Sequence, residues 1–442
     1  MRIPGGSLLL LALVVSCTTA VPEIPPPNRP PPQPAPAGEM RVNLPSRPSL
    51  DEVLISVQST PPVGAAREAL LREEALREQA GLPPNPILNV FASRIDLADV
   101  GGGPQKYRVF LRERLETAGK REARVLTATG RYHETLAESR AVMFRTARAA
   151  GGAQQRAVAS QEMLALRGEA LATSGELLAI EEKLVASGRR KASVLPEYRE
   201  RVAAARSAFL EEEARLKSAL RNLEGILSIS PGTLDGVRGN LLTSSSLPAA
   251  GDGPLIDENP AVLVAMAAQQ IAEAELRAAK AKAYPDVTVG IDYEDSQEFG
   301  ERLHLIGLNL EAELPVFDTN VAGIRAAHAE VRRTRIRFAE VRAAAAAGYA
   351  EAREVAGTLH RGVESRQTGV IPARRQEAEF ARLAHDAGRT DRRPSLAADL
   401  ALLAARIELT ELQSRVAGWN LDALALIGRE PSDWGPSQDA GQ

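Results

Sequence analysis

Cysteine, aromatic side chains and net charge are all scarce in this sequence of 442 residues. It contains one cysteine, its aromatic content is 4%, and 54 Lys and Arg stand against 57 Asp and Glu. A net charge of −3 gives no sign of the basic face that nucleic-acid binding requires. The abundant residues are Ala, Leu, Glu and Arg, which is typical of long helices that pack through small and aliphatic side chains.

Residues for catalysis or cofactor binding are equally sparse. The five histidines are scattered, and none pairs with another at the spacing of a metal site. Gly101-Gly102-Gly103 precedes strand-like residues rather than a helix, so we interpret it as a hairpin turn and not as a phosphate loop. We therefore predict that the protein is not an enzyme and holds no cofactor and no metal.

The first 16 residues are interpreted as a signal peptide. Arg2 supplies a positive region, and Leu8 to Val15 form an apolar stretch too short to span a bilayer. Residues 14–17 (VVSC) are similar to a bacterial lipobox, and acylation of Cys17 would explain an unpaired cysteine in an exported protein. Thr18 at the next position implies sorting to the outer membrane. The alternative is ordinary cleavage after Ala20, which would remove the cysteine.

A proline-rich segment follows Cys17. Eleven prolines lie from Pro22 to Pro48, a run that favours polyproline II and cannot pack a core. We interpret it as a semi-rigid tether between the lipid anchor and the folded body. No later segment has the roughly 20 consecutive apolar residues of a transmembrane helix. If the body crosses a membrane, it must therefore do so as strands.

The sequence repeats itself with a period near 200 residues. Residues that match at this offset are Gly188 and Gly388, Arg206 and Arg406, Glu211 and Glu411, and Arg215 and Arg415. Upstream, the segment that begins at Pro86 matches the one that begins at Pro285. Residues 50–230 and 255–430 are thus predicted to be one structural unit used twice.

Each unit has the layout helix, two strands, very long helix, turn, helix. The strands are predicted at about 87–95, 106–115, 286–294 and 302–313. Apolar and polar residues alternate along them, as expected for a membrane barrel with a wet interior. The alternative is a pair of hairpins that lie on a soluble core. Four strands cannot close a barrel, so a membrane-spanning protein of this kind must be an oligomer.

The long helices are the strongest signal. No proline lies between Pro104 and Pro196 or between Pro315 and Pro372. A helix of about 65 residues is about 100 Å long, which no compact domain contains. Adjacent heptad stripes predict coiled-coil neighbours on more than one side, as in a helical barrel. Gly151 and Gly152 are expected to mark a bend or break.

Several short motifs resemble the second half of TolC-like outer-membrane efflux channels. They are Asn259-Pro260, Tyr284-Pro285-Asp286-Val287, Leu314-Pro315-Val316-Phe317-Asp318, Ile324 and Ala327. In the first half, Glu116-Thr117-Ala118-Gly119-Lys120-Arg121 resembles the strand-to-helix junction of the heavy-metal-efflux branch. The resemblance covers roughly residues 49 to 430 and rests on the order, spacing and duplication of the motifs.

We divide the chain accordingly into six segments. They are a lipoprotein signal peptide (1–16), a lipidated Cys17 with a proline-rich tether (17–48), a first efflux repeat (49–230), an inter-repeat linker (231–254), a second efflux repeat (255–430) and a flexible C-terminal tail (431–442).

The resemblance implies a mainly α fold with a small transmembrane β part. Three copies would form a 12-stranded barrel in the outer membrane, continued by a long periplasmic α-helical barrel. It further implies an outer-membrane channel subunit that gives pump substrates a passive exit. Its partners would be a periplasmic adaptor protein and an inner-membrane pump, with the resistance-nodulation-division type favoured, and outer-membrane lipid.

In that family the helix-helix turns that face the inner membrane form the tip of the tunnel. The residues expected at the tip, where an adaptor docks, are Gly188, Arg189, Arg190, Gly388, Arg389, Asp391 and Arg392. Their basic character differs from the acidic rings of many family members. We hypothesise that the tip meets an acidic adaptor or repels cations; the alternative is a solvated turn. The strand-to-helix junctions are expected at Gly119, Lys120, Arg121, Pro315, Phe317 and Asp318.

The main alternative is a periplasmic adaptor lipoprotein of an efflux pump. Such a protein would carry one helical hairpin inserted in compact β-rich domains, whereas this sequence has two hairpins in a duplicated frame. A structural coiled-coil lipoprotein is a third alternative, but it leaves the alternating strands unexplained. The cargo stays open between metal ions, drugs and other molecules.

Overall fold

The computed structural model describes residues 44–93, 106–243, 247, 253–298 and 301–434. The predicted signal peptide, Cys17, most of the tether and the glycine turn at 101–103 lie outside the described residues. The first half contains α1 (Leu50–Ser56), α2 (Pro61–Ala80), β1 (Ile87–Ser93), β2 (Lys106–Leu115), α3 (Lys120–Ala186) and α4 (Leu195–Leu227). The second half contains α5 (Gly253–Asp257), α6 (Pro260–Ala281), β3 (Val287–Glu298), β4 (Glu301–Ala312), α7 (Val321–Ser365), α8 (Ile371–Asp386) and α9 (Arg392–Leu426). The fold is mainly helical, as predicted, and the order helix, two strands, long helix, turn, helix occurs in both halves.

The four strands form one antiparallel sheet in the order β1-β2-β3-β4. The pair β2–β3 joins the two halves, with Lys106 opposite Ser296 and Leu115 opposite Val287. β2 has its predicted bounds. β3 continues to Glu298, four residues past the prediction, because its ladder with β4 extends to the pair Glu298 and Glu301.

Helix α3 runs for 67 residues without interruption. The break expected at Gly151 and Gly152 is therefore absent, and the expected bend stays a prediction. A Cβ atom on Gly151 would lie 3.5 Å from side-chain atoms of both Leu50 and Leu421, an ordinary van der Waals distance, so α1 and α9 both pack against α3 at this residue. Packing on both sides outweighs the helix-propensity cost of about 1 kcal/mol for each glycine.

The corresponding helix of the second half is interrupted. Arg366–Val370 form a single π-helical turn between α7 and α8, and Pro372 follows in the first turn of α8. Proline has no N–H to donate to the preceding turn, and a π-turn is one way for a helix to accommodate that loss. The two halves thus differ in their long helix, which is continuous in the first half and interrupted by a π-helical turn in the second.

The main core lies where α1, α3, α4 and α9 meet the segment 231–243. Val53, Ala147, Leu223 and Ala417 are completely buried there. Gln155 accepts a hydrogen bond at Oε1 from the backbone N of Leu242 at 2.7 Å. Residues 231–243 of the predicted linker are thus packed on α3 through buried glutamines and aliphatic side chains. The periodicity of the sequence gives no sign of these contacts.

The predicted flexible tail at 431–442 is wrong for its first four residues. Pro431–Asp433 form a 3-10 turn, and Trp434 is almost completely buried. Its ring meets Phe144 edge-on at a centroid distance of 5.9 Å, and its Nε1 donates to the Arg429 carbonyl oxygen at 2.6 Å. An aromatic anchor of this kind holds residues 431–434 on α3.

Candidate functional site

One face of the sheet is apolar and exposed. Because side chains alternate across a strand and the register is known, this face can be followed through all four strands. It contains Leu88 and Val90 of β1, Val109 and Leu111 of β2, Val289, Ile291 and Tyr293 of β3, and Ile306, Leu308 and Leu310 of β4. Leu308 is 81% exposed. A contiguous exposed apolar surface of this extent marks a contact with lipid or protein.

The opposite face is charged. Glu294 lies between Lys106, whose Nζ is 2.5 Å from Oε1, and Arg108, which bonds to Oε2. Nearby, Asn309 donates from Nδ2 to Oδ1 of Asp292 at 2.5 Å. Phe110 of β2 lies on this face beneath the guanidinium groups of Arg108 and Arg112, and further apolar residues occur at the edge strands, for example Phe91 and Leu305. The sheet is therefore amphipathic, with a polar central stripe on one side and an apolar surface on the other.

The first strand-to-helix junction is cross-linked to the second half. Gly119 has φ +75°, which turns the chain from β2 into α3. Lys120 then donates from Nζ to Oδ1 of Asp286 and to the carbonyl oxygen of Tyr284, both at 2.7 Å. Arg121 donates from Nε to the Gly81 carbonyl oxygen at 2.6 Å. The end of the sheet is thereby fixed to α2 and α3 by charge-assisted bonds.

Arg124 is a further residue of this junction, and the sequence analysis did not predict it. Arg124 donates from Nε to the Ala80 carbonyl oxygen at 2.9 Å and from Nη2 to that of Leu82 at 3.0 Å, and it pairs with Glu116. Its position one turn after Lys120 and Arg121 is the signal that could have found it, because residues three or four apart share a helix face.

The second junction is built differently. Phe317 is fully exposed, and Pro315 lies between two other exposed apolar residues, Leu314 and Val316. Asp318 accepts at Oδ1 from the backbone N of Asn320 at 2.8 Å. Asn320 adopts the left-handed conformation, at φ 55°, and donates from Nδ2 to the Ala279 carbonyl oxygen at 2.7 Å. The loop thus presents an apolar tip while its base is held to α6.

The two helix-helix turns have the same geometry. Gly188 and Gly388 have φ +74° and +65°. Arg189 and Arg389 each donate from the backbone N to a carbonyl oxygen five residues earlier, at 2.9 Å, as in a Schellman motif. A Cβ atom added to either glycine would have no described heavy atom within 4 Å, so it is backbone conformation and not space that favours glycine.

The charges at these turns are largely paired. Glu181 of α3 is completely buried, and its two oxygens are each 3.1 Å from an arginine nitrogen, of Arg190 and of Arg393. Arg392 lies 2.6 Å from Glu176. The expected basic ring is therefore reduced to exposed groups such as Arg189 and Arg389. The sequence analysis did not predict roles for Glu176 and Glu181. Their partners Arg392 and Arg393 lie 216 and 212 residues later in the chain, so the contacts leave no local pattern.

Asp391 caps the start of α9. Its Oδ1 accepts from the backbone N of Arg393 at 3.0 Å, and its Oδ2 from Arg393 Nε at 2.9 Å. The side-chain bond from Arg393 is the main cause of the lowered pKa of Asp391. The group is thus an anion at the positive end of α9 at neutral pH.

Across the described residues, no three His, Cys, Asp and Glu side chains are grouped as they would be around a metal ion. None of the helices in the described part of the chain combines the length and apolar character needed to cross a bilayer.

Comparison with known proteins agrees with this architecture. Residues 254–426 match the family model of outer membrane efflux proteins. The nickel-cobalt-cadmium resistance protein NccC of Alcaligenes xylosoxydans xylosoxydans is 27% identical over 302 residues. The matched part is 65% of this chain and 65% of that relative.

Solved structures share the fold at low identity. The crystal structure of CusC has a TM-score of 0.71 at 17% identity, covering 86% of this chain and 92% of that one. The outer-membrane channel OprN has a TM-score of 0.71 at 17% identity, covering 87% and 90%. The outer membrane protein VceC of Vibrio cholerae has a TM-score of 0.68 at 18% identity, covering 86% and 96%.

An amphipathic four-stranded sheet joined to two long helical hairpins is the fold that this chain shares with these solved structures. Residues 254–426 of this chain carry a domain of the outer membrane efflux protein family.

Proposed function

We propose that three copies of this chain form a passive exit duct for an efflux pump across the periplasm and the outer membrane. The observation that carries the proposal is the amphipathic sheet, whose exposed apolar face is suited to lipid and whose charged face is suited to water.

The edges of the sheet support an oligomer. β1 and β4 each have one neighbour in the described sheet, so one edge of each lacks a strand partner. Unpaired backbone groups are not tolerated in lipid, and pairing β1 of one copy with β4 of the next removes every edge. Three copies of four strands would give the 12-stranded barrel.

The long helices support a periplasmic duct. α3 alone extends about 100 Å at 1.5 Å per residue. In the proposed assembly these helices continue the barrel into the periplasm and bring the turns at Gly188 and Gly388 toward the inner membrane. There the exposed Arg189 and Arg389 would contact an acidic adaptor tip, and a pump of the resistance-nodulation-division type would complete the system.

For the cargo we propose metal ions. The support is the similarity to NccC, a nickel-cobalt-cadmium resistance protein. For membrane attachment we propose that acylated Cys17 and the tether add a lipid anchor in the outer membrane. A lone cysteine in a lipobox-like sequence of an exported protein suits that modification.

The test is a Cys17→Ser variant exported through a signal peptide that is not a lipoprotein signal. We expect it to partition with outer membranes, to run as a trimer in detergent and to form pores in planar bilayers, because the strands hold it in the membrane. A matched wild-type sample shows what the lipid adds. A soluble monomer would contradict the proposal and favour the periplasmic adaptor.

A further inference from the structure

A row of arginines lies along the middle of α3. Between Phe144 and Ser160, the exposed residues of this helix are Arg145, Arg148, Ala149 and Arg156. Their spacing of three, four and seven residues places them in one stripe along the helix. The stripe borders a groove of about 730 Å³ between α3, α4 and α9, to which α9 adds Arg415.

Most of these guanidinium groups have no acidic partner within the described chain. Arg148 pairs with Asp422, the one acidic residue that lines the groove. No carboxylate of the described residues lies within ion-pair distance of Arg145, Arg156 or Arg415. The groove therefore carries a local excess of positive charge that nothing in the fold requires.

The excess is confined to one level of the helices. Toward the turns, Arg167 lies 3.5 Å from Glu212 and 3.8 Å from Glu411, so charge there is balanced. Toward the sheet, the neighbouring groove shares Arg145, Arg148 and Asp422 with this one and adds Glu138, Glu351 and Arg337, so that its acidic and basic residues are equal in number. The part of the helices with excess positive charge thus lies between two surfaces where acidic and basic residues balance.

The opposite side of α3 is covered. Gln154 follows Arg145 by nine residues, which is half a turn away at 3.6 residues per turn. Its Nε2 donates to the Arg238 carbonyl oxygen at 3.1 Å, and Gln161 accepts from the backbone N of Val237 at 2.7 Å. The segment 231–243 therefore lies on the face of the helices that points away from the arginine row.

The position of the segment 231–243 determines which face of the helices can line a duct. If three copies close into a duct, the segment 231–243 must lie outside the ring of helices, because three copies of it would fill the bore. The arginine row then faces inward. Four arginines from each of three copies would bring twelve guanidinium groups to this level, against three Asp422 carboxylates.

We infer that Arg145, Arg148, Arg156 and Arg415 form an anion-attracting ring inside the channel, which favours the passage of small anions, and of metal ions complexed by anions, over free cations. This inference rests on the proposed function as a trimeric channel. Converging like charges in a cleft with low-dielectric walls raise the local concentration of counter-ions. At 0.1 M salt the Debye length of about 10 Å leaves such a field effective over the width of a narrow duct.

The test is the reversal potential of the full chain in planar bilayers under a gradient of KCl. We expect the wild type to favour Cl⁻ over K⁺, and the double variant Arg145→Glu, Arg156→Glu to lower this permeability ratio by about fivefold. The effect should shrink in 1 M KCl, where the Debye length is about 3 Å. Both residues are exposed and lie in no ion pair of the described chain, so the variant should fold and assemble normally.

Arg353→Glu is the matched control. Arg353 is exposed on α7 beside Thr243 and Leu247, on the side where the segment 231–243 lies, and its replacement should leave selectivity unchanged. Pores whose selectivity is the same in the wild type and the double variant would overturn the inference and leave the channel function intact. A shift with Arg353→Glu alone would overturn it by reversing the assigned faces. Absence of trimers and pores in the wild type would instead contradict the proposed function.

Discussion

Arg393, at the start of α9, donates from Nη1 to Oε1 of Glu181 in α3 at 3.1 Å, across 212 residues of sequence. The same carboxylate accepts from Nε of Arg190 at 3.1 Å. One buried glutamate thus joins the turn of the first hairpin to the second hairpin.

Replacing Glu181 by Ala should loosen the two turns together. Removal of one partner from a buried ion pair costs about 3–5 kcal/mol; here we expect about 2 kcal/mol, because Arg190 and Arg393 are partly exposed and water can solvate them. Hydrogen exchange of the amides at 184–190 and 384–390 would measure the loss. Arg392→Ala is the control, since it removes an exposed pair with Glu176 and should cost less than about 1 kcal/mol. If the two variants lose the same free energy of protection, the burial of Glu181 does not add to the stability of the turns.

Replacing Gly188 or Gly388 by Ala should weaken each turn by about 1–2 kcal/mol, because a Cβ atom is unfavourable at positive φ. Exchange of the Arg189 or Arg389 amide should accelerate by about tenfold, the factor that corresponds to 1.4 kcal/mol. Gly175→Ala provides the comparison: an added Cβ there would have no described heavy atom within 4 Å, and alanine inside α3 should be stabilising by about 0.5–1 kcal/mol. Unchanged exchange in both turn variants would mean that the left-handed backbone does not limit the turn.

The cap of α9 should depend on pH. The pKa of Asp391 is lowered in the folded protein, chiefly by the hydrogen bond from Arg393. A lowered pKa stabilises the fold above the unfolded value of about 3.9 and loses that contribution as pH falls through the folded value. We expect the protection of the amides near residues 391–394, taken relative to intrinsic exchange at the same pH, to fall in the wild type below about pH 4. Asp391→Asn keeps an oxygen that can cap the helix but should lack this pH dependence. An identical pH profile in the variant would assign the effect to other groups.

At the first junction, Lys120 and Asp286 should be energetically coupled. Both side chains are mostly buried, and a hydrogen bond between charged groups contributes about 1.5–3 kcal/mol. A double-mutant cycle of Lys120→Met and Asp286→Asn, followed by thermal unfolding in detergent, should give a coupling energy of about 1 kcal/mol or more. Additive effects would show that Lys120 acts through the Tyr284 carbonyl oxygen alone.

Trp434 should be required for stability. Termination after Trp434 removes only residues outside the described structure and should leave the melting temperature in detergent unchanged. Termination after Glu430 removes the buried indole on Phe144, a loss of about 3–5 kcal/mol. If both truncations melt like the full chain, the contact of Trp434 with Phe144 does not stabilise the body.

Periodic features could be predicted from the sequence. The strand at 106–115 and the long helix after Gly119 follow from alternation and from the absence of proline, and the repeat at an offset of 200 indicates the duplicated layout. Gly188 and Gly388 could be placed at turns because glycine readily adopts the left-handed backbone that ends a helix. Their part in adaptor docking stays a prediction.

Other features depend on residues distant in sequence. The continuous helix at Gly151, the packed segment 231–243 and the anchored Trp434 each follow from contacts between elements far apart in the chain. Local propensity is a weak determinant at such positions, since tertiary packing routinely overrides it.

The sequence by itself determined the family resemblance, the duplicated layout and the alternation of the strands, because each is a pattern along the chain. Only the tertiary structure decided which charges are neutralised. Glu181 pairs with Arg393 and removes charge from the turns, whereas Arg145, Arg156 and Arg415 converge without an acidic partner among the described residues. Ion pairs form over a few ångströms in space, and their partners among the described residues lie up to 290 residues apart.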